Sequence, residues 1–220
     1  MKSRRNRVYI KSKRQSPLPR ELDMVRAHPA IILAAGASQR LGQPKSLVRI
    51  GDTTLVGMAY KKLDKAGCSP IVIVTRSELV FDIMKETVGS TVLSNPSPEK
   101  GRTGSLQCAL LSLAGDKGRL PKGVIVAPVD RPGWSIAHIK SLLTLSTSAA
   151  LASSGRKGHP VFMDSAAIES VLTAKADTSL RELVRFSEHV VEAPLIGLNI
   201  DTPEDLQTLS YHEQELLNEL

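Results

Sequence analysis

The apolar positions of the chain fall into short blocks that switch between two periods. Ala30–Ala34 (Ala-Ile-Ile-Leu-Ala) is a continuous apolar run that leads straight into a glycine-bearing loop. Such a run predicts a strand buried on both faces. From Thr53 the period changes: Leu55, Ala59, Leu63 and Ala66 recur at helical spacing, and Gly67 stands where a left-handed residue closes a helix. A helix of about four turns is expected there.

Ile71–Thr75 is short and β-branched, Glu78–Lys85 can form a helix, and Thr91–Leu93 has the composition of a third strand. Leu106, Ala109, Leu110 and Leu113 mark a further amphipathic helix, Val124–Val129 a strand ending at Asp130, and Ser135–Leu145 another helix. This alternation predicts an α/β fold, a doubly wound and mostly parallel twisted sheet with helices on both faces. The last third is less regular. Its β-type pieces at Ala149–Ala152, His159–Met163, His189–Glu192 and Ile196–Ile200 add a small β extension. Thr202-Pro203-Glu204-Asp205 reads as a helix start, with Thr as N-cap, Pro at the first position and acids at the positive end of the dipole. Asp201 is therefore expected at a strand-to-helix junction.

Composition supports a folded body. Of 220 residues, 41% are apolar and 23% charged, close to globular averages, and no apolar run approaches the ~20 residues a membrane span needs. The net charge of +7 would point to nucleic acid if it were spread over the surface, but it is local. Residues 1–28 carry nine Lys/Arg against two acids, and the remainder carries 20 of each sign. The chain thus divides into a basic N-terminal extension, 1–28, and one neutral domain, 29–220. The extension lacks the apolar stretch of a secretory signal and has few of the serines of a transit peptide. Met24 offers an alternative translation start six residues before the first strand. Cys68 and Cys108 show no Cys-x-x-Cys spacing, which points to a reducing, cytoplasmic compartment. Cys108, on an apolar helical pattern, is expected to be a small buried hydrophobe.

The chemistry concentrates in residues 33–45, Leu-Ala-Ala-Gly-Ala-Ser-Gln-Arg-Leu-Gly-Gln-Pro-Lys. Small residues at 34–37 let backbone amides approach a ligand, and Arg40 and Lys45 add cationic donors in the same loop. A polyphosphate fits that description. The loop is neither a Walker loop nor a Gly-x-Gly-x-x-Gly turn.

In this segment the chain resembles the MobA-like nucleotidyltransferases, and within them the molybdenum cofactor cytidylyltransferases, whose signature L-A-A-G-x-S-x-R-x-G-x-P-K is met at every fixed position. The resemblance runs over about residues 29 to 210 and implies a Rossmann-like nucleotidyltransferase fold. It places Leu33, Ala34, Ala35, Gly36, Ser38, Arg40 and Lys45 around a nucleoside triphosphate, with Gly36, Ser38, Arg40 and Lys45 on its phosphates. Asn95–Leu106 resembles the stretch that contacts the base, which implicates Asn95, Gly104 and Ser105. Pro128-Val129-Asp130-Arg131-Pro132 resembles the strand end where an aspartate holds Mg²⁺. Gly158-His159-Pro160 resembles an element near the acceptor, so His159 is implied in acceptor binding.

Leu198-Asn199-Ile200-Asp201-Thr202-Pro203-Glu204-Asp205 is similar to the closing D-[IV]-D-T-P-E-D of the family, with Asn199 where Asp is usual. That departure leaves open whether Asn199 or Asp201 completes the metal site with Asp130. A second departure is Asp177-Thr178-Ser179-Leu180-Arg181, where the cytidylyltransferases often carry Gly-Asp-x-Gly-Ala-Arg. In this family L-A-A-G enzymes mostly use CTP and L-A-G-G enzymes GTP, so Ala35 favours CTP.

The reaction so implied is Mg²⁺-dependent transfer of a nucleoside monophosphate, CMP from CTP, to a phosphorylated small-molecule acceptor such as the molybdopterin cofactor, with release of pyrophosphate. Arg40, Lys45 and Asp130 carry it. A phosphate monoester is already ionised near neutral pH, so no general base is required, and positioning with charge neutralisation does the catalysis. Three other readings compete. One is a cytidylyl- or uridylyltransferase of a sugar, polyol or amino-alcohol phosphate; another is a non-catalytic nucleotide-binding regulator with a decayed metal site, motivated by Asn199. The third, nucleic-acid binding, rests on the basic extension alone.

Overall fold

The computed structural model describes residues 27–115 and 118–220; the basic extension and the alternative start at Met24 fall outside them, except for Ala27 and His28. In chain order the elements are β1 (Ala30–Leu33), the two-residue strands β2 (Arg49–Ile50) and β3 (Thr53–Thr54), α1 (Leu55–Lys65), β4 (Ile71–Thr75), α2 (Val80–Glu86) and β5 (Thr91–Ser94). Then come α3 (Arg102–Ala114), β6 (Gly123–Pro128), α4 (Ile136–Leu142), β7 (Ala149–Ser153), β8 (Arg156–Asp164) and α5 (Ser165–Thr173). The chain closes with α6 (Leu180–Leu183), β9 (Ser187–Val190), α7 (Pro203–Tyr211) and α8 (Glu213–Leu217).

Seven strands form one sheet in the order β5-β4-β1-β6-β8-β7-β9. Every neighbouring pair is parallel except the two that β8 makes, with β6 and with β7. The expected doubly wound α/β architecture is the one that forms, and β8-β7-β9 is its β extension. Alternate residues of the central strands enter two separate cores. Ala30, Ile32, Ile71 and Ile73 pack with α1, α2, α4, α7 and α8, whereas Ile31, Leu33, Val72 and Val74 pack with α3, α5 and α6. This two-sided burial is the physical reason for the unbroken apolar runs. Truncating Ile32, which has no exposed surface, to Ala would cost about 2–5 kcal/mol.

Several expectations need correction. The first helix has 11 residues, about three turns, because Arg49–Thr54 folds back as an antiparallel pair. Thr54 then caps the helix, its hydroxyl accepting from the Gly57 amide at 3.2 Å. Its far end closes as expected, with Gly67 at φ 91°. Helix α2 is preceded by a 3-10 turn at Ser77–Leu79, and α4 stops at Leu142, short of Leu145. The piece expected at His189–Glu192 lies two residues earlier as β9.

Ile196–Ile200 is not a strand but a series of turns, with Ile196 N–H donating to Ala193 and Leu198 N–H to Leu195. Its apolar residues are there for packing: a Cβ on Gly158 would come within 2.4 Å of Ile196, so glycine lets β8 approach the turns closely. Asp201 therefore ends a loop rather than a strand. Cys108 is half-buried, while Cys68 is buried and its thiol is pushed up to about 12 by burial and by Asp64.

The register matters most for the site. Leu33 of β1 lies opposite Pro128 of β6, so the loop after β1 and Asp130 after β6 leave the same carboxyl edge, where open α/β sheets bind ligands.

Candidate active site

The loop after β1 is anchored by its own backbone. The Ala34 amide donates to Val74 at 2.8 Å, and the Ser38 carbonyl accepts from the amides of Leu41 and Gly42. Ser38 itself sits at φ 55°, a region that a non-glycine residue occupies only when its surroundings hold it there. Its hydroxyl accepts from the Lys45 amide at 3.1 Å, which sets where Lys45 begins. At Gly36 an added Cβ would meet no protein atom within 4 Å. The fold does not need glycine there for steric reasons; the open space beside it is a cleft of about 500 Å³.

Two cations of this loop meet two carboxylates from elsewhere. Lys45 Nζ stands 2.6 Å from Asp201 Oδ1 and 3.5 Å from Asp130 Oδ2. Arg40 reaches the other oxygen of Asp201, with its side chain 74% exposed against 12% for Lys45. The Lys45 hydrogen bond, with Coulomb attraction to Lys45 and Arg40, holds the Asp201 carboxyl below its ordinary range, so it is ionised at neutral pH. The segment bearing Asp201 is fastened to Asp130 through the backbone, Ile200 N–H donating to the Asp130 carbonyl at 2.9 Å. Asp205 is taken up by the helix start: its carboxylate accepts from the amides of Asp201 and Thr202 at 2.9 and 2.8 Å, and these bonds keep it low in pKa.

Of the residues singled out in the sequence, Leu33–Gly36, Ser38, Arg40, Lys45, Ser105, Asp130, Asn199 and Asp201 line this one cleft. Asn95 lies behind it, its amide donating to the Ser105 hydroxyl at 3.0 Å. Gly104 does not line it; its amide donates to the Ala176 carbonyl at 3.0 Å. His159, on β8, has its Nδ1 buried with no hydrogen-bond partner. Its pKa is lowered to about 4, by burial first and then by Arg102, Arg131 and Arg181, against an opposing pull from Asp130. Arg102 and Arg131 also line the cleft, and the sequence reading gave neither a role. Arg131 was legible only as the neighbour of Asp130.

The donor set suits a hard divalent cation. Two carboxylates and the Asn199 amide on one cleft offer oxygen atoms only, and among the described residues no group of three or more His, Cys, Asp or Glu could enclose a metal. A divalent cation that keeps several waters and shares its remaining sites with substrate phosphates fits such an open arrangement. Among the described residues no helix is long and apolar enough to cross a membrane.

The sequence profile of the MobA-like NTP transferase domain matches residues 30–192. A molybdenum cofactor guanylyltransferase of Sinorhizobium fredii is 26% identical over 211 residues, 87% of this chain and 93% of that protein. The purine catabolism protein PucB of Bacillus subtilis is 24% identical over 80% of this chain and 92% of its own length. Among solved structures, Rv0371c of Mycobacterium tuberculosis superposes with a TM-score of 0.68 at 22% identity, covering 84% of this chain and 98% of that one. A manganese complex of Rv0371c superposes at 0.65 and 19% identity, covering 84% of this chain and 98% of that one. These structures share the fold.

Proposed function

The chain belongs to the MobA-like NTP transferase family and is a nucleotidyltransferase, and on that premise we propose that it transfers CMP from CTP, with Mg²⁺, to a phosphorylated acceptor such as the molybdopterin cofactor. The observation that carries this reading is the convergence on Lys45, whose ammonium touches carboxylates from two other segments. Cations and carboxylates so close together form a site for an anion and a divalent cation that arrive as one ligand.

Arg40 and Lys45 hold the β- and γ-phosphates, with the small residues Ala34–Gly36 leaving room for the chain of phosphates beside the backbone. An oxygen of the acceptor phosphate attacks the α-phosphorus; the bond from that phosphorus to the bridging oxygen breaks, and pyrophosphate leaves with the electron pair. Asp130 and Asp201, with the Asn199 amide, would hold the magnesium, which supplies positive charge against the α-phosphate. The two unpaired thiols suit a reducing, cytoplasmic setting.

Ala35 supports CTP, since it lines the cleft at the position where the GTP-using sequences of the family carry glycine. The relative named as a guanylyltransferase favours GTP as the second reading. A thermal-shift panel of CTP, GTP, UTP and ATP with Mg²⁺ separates the two, because a ligand of the folded state raises stability by mass action. Stabilisation led by CTP supports the proposal, and stabilisation led by GTP replaces it.

A further inference from the structure

Arg102 and Arg131, which line the cleft, and Arg181 on α6 take no part in the triphosphate grip proposed above. Arg40 and Lys45 are paired with carboxylates, whereas among the described residues Arg102, Arg131 and Arg181 have no carboxylate partner. Arg131 also has its Nε buried with no hydrogen-bond partner, as has His159 its Nδ1. A buried polar group left unmade costs about 1–3 kcal/mol, and such orphans call for an explanation.

The three come together through packing. Arg102 opens α3. The segment before Arg181 lies against that helix start: Ala176 accepts from the Gly104 amide at 3.0 Å and Thr178 from the Thr103 hydroxyl at 2.6 Å. Arg131 follows Asp130 at the end of β6, and His159 belongs to β8, the strand beside β6. Val126 of β6 faces Val161 of β8 in an antiparallel pair, so His159 reaches the same end of the sheet as Asp130.

The sheet order then gives the cleft two flanks. β6 lies between β1 and β8: the triphosphate loop comes from the β1 side, Arg131 and His159 lie toward β8, and Arg102 reaches the same cleft from the start of α3, whose body packs on β4 and β1. In-line displacement needs attacking and leaving oxygens on opposite sides of the α-phosphorus. We propose that Arg131 and His159, with Arg102 and Arg181 beside them, anchor a phosphate monoester dianion, that of the acceptor, and so aim its oxygen at the α-phosphorus from the β8 side of the cleft. The proposal rests on the nucleotidyl transfer argued above. Charge supports it: none of the three guanidinium groups has a carboxylate partner among the described residues, so a dianion supplies the missing counter-charge. Arginine also offers the paired N–H donors that match a phosphate.

Inorganic phosphate is the probe. It is titrated by calorimetry into the full chain saturated with Mg²⁺ and a CTP analogue carrying methylene between the α- and β-phosphorus, which blocks turnover. The wild type binds phosphate, while Arg131→Gln and the pair Arg102→Gln with Arg181→Gln bind it at least tenfold more weakly and lose less affinity for the analogue. Arg131→Lys, which keeps the charge without the paired donors, falls between. Circular dichroism and Tm confirm that each variant folds. Equal phosphate affinity in all variants, no phosphate binding by the wild type, or a loss for the analogue as large as that for phosphate overturns the assignment. If no nucleotide binds at all, the proposed transfer fails, and phosphate is titrated into the nucleotide-free chain. There, a loss in Arg131→Gln that Lys45→Ala does not share upholds the anion site, and the reverse overturns it.

Discussion

Lys45 Nζ stands 2.6 Å from Asp201 Oδ1, a contact between residues 156 positions apart that ties the loop after β1 to the start of α7. The partners differ from an ordinary surface pair in being mostly covered, at 12% and 18% side-chain exposure. Under the proposed function, the ammonium exchanges this carboxylate for phosphate when the triphosphate binds.

From this follows the behaviour of Lys45→Ala. Loss of one charge-assisted hydrogen bond, worth about 1.5–3 kcal/mol, lowers kcat/KM for CTP by roughly 10- to 100-fold. The Asp201 carboxyl, deprived of its main hydrogen-bond donor, returns upward toward the usual carboxylate range, which carbon-detected NMR titration reads directly. Unchanged kcat and KM would remove Lys45 from the phosphates.

Asp130→Asn tests the metal site. Turnover should fall by about two orders of magnitude or more, as when electrostatic stabilisation of a transition state is removed, while Tm changes little because Asp130 is part-exposed and carries no core packing. Magnesium dependence separates the two remaining candidates. Asp201→Asn raises the Mg²⁺ concentration for half-maximal activity more than Asn199→Ala does, since a carboxylate neutralises charge that an amide only solvates. Chelation of Mg²⁺ should abolish turnover and resupply restore it; turnover that persists in chelator contradicts the site.

How much of this could be read beforehand varied with distance along the chain. The loop of residues 33–45 is local, so its small residues and two cations pointed to a polyphosphate without any fold, and the structure brings them to one cleft. Asp130 was legible as the end of an apolar run. The approach of the segment before Arg181 to Arg102 was not, because it depends on Ala176 and Thr178 packing against the start of α3, a contact that no local pattern encodes. Ile196–Ile200 misled for a related reason: its apolar residues fill the space beside Gly158, and hydrophobicity alone does not separate such packing from strand pairing. The pair β2 and β3 escaped because two residues per strand are too few to show an alternation.

Ala35→Gly addresses nucleotide choice. Ala35 is 8% exposed and lines the cleft, so on the proposed function it borders the space a nucleotide fills. One methyl group in a pocket is worth about 1–3 kcal/mol of discrimination, or roughly 10- to 200-fold. The variant should shift the ratio of kcat/KM for CTP over GTP toward GTP by about tenfold or more. Competition kinetics with both nucleotides present measures this ratio, and an unmoved ratio would free Ala35 of any part in selection.

His159 makes folding stability depend on pH in a defined window. In the folded chain its pKa is lowered to about 4, whereas in the unfolded chain it returns to about 6.5. Between those values the unfolded state holds a proton that the folded state does not. Stability therefore rises with pH from about 4 to about 6.5, is fully present above that, and is lost as pH falls through the window. At 1.36 kcal/mol per pH unit the span is worth about 3 kcal/mol. Asp164, Asp201 and Asp205, all lowered from their ordinary range, withdraw their own contributions only further toward acid, which leaves the window to His159. Urea unfolding at intervals between pH 4.5 and 7 should show the wild type losing stability relative to His159→Gln as the pH drops. Parallel curves for the two proteins would mean that the imidazole is not held neutral by its burial and the three arginines.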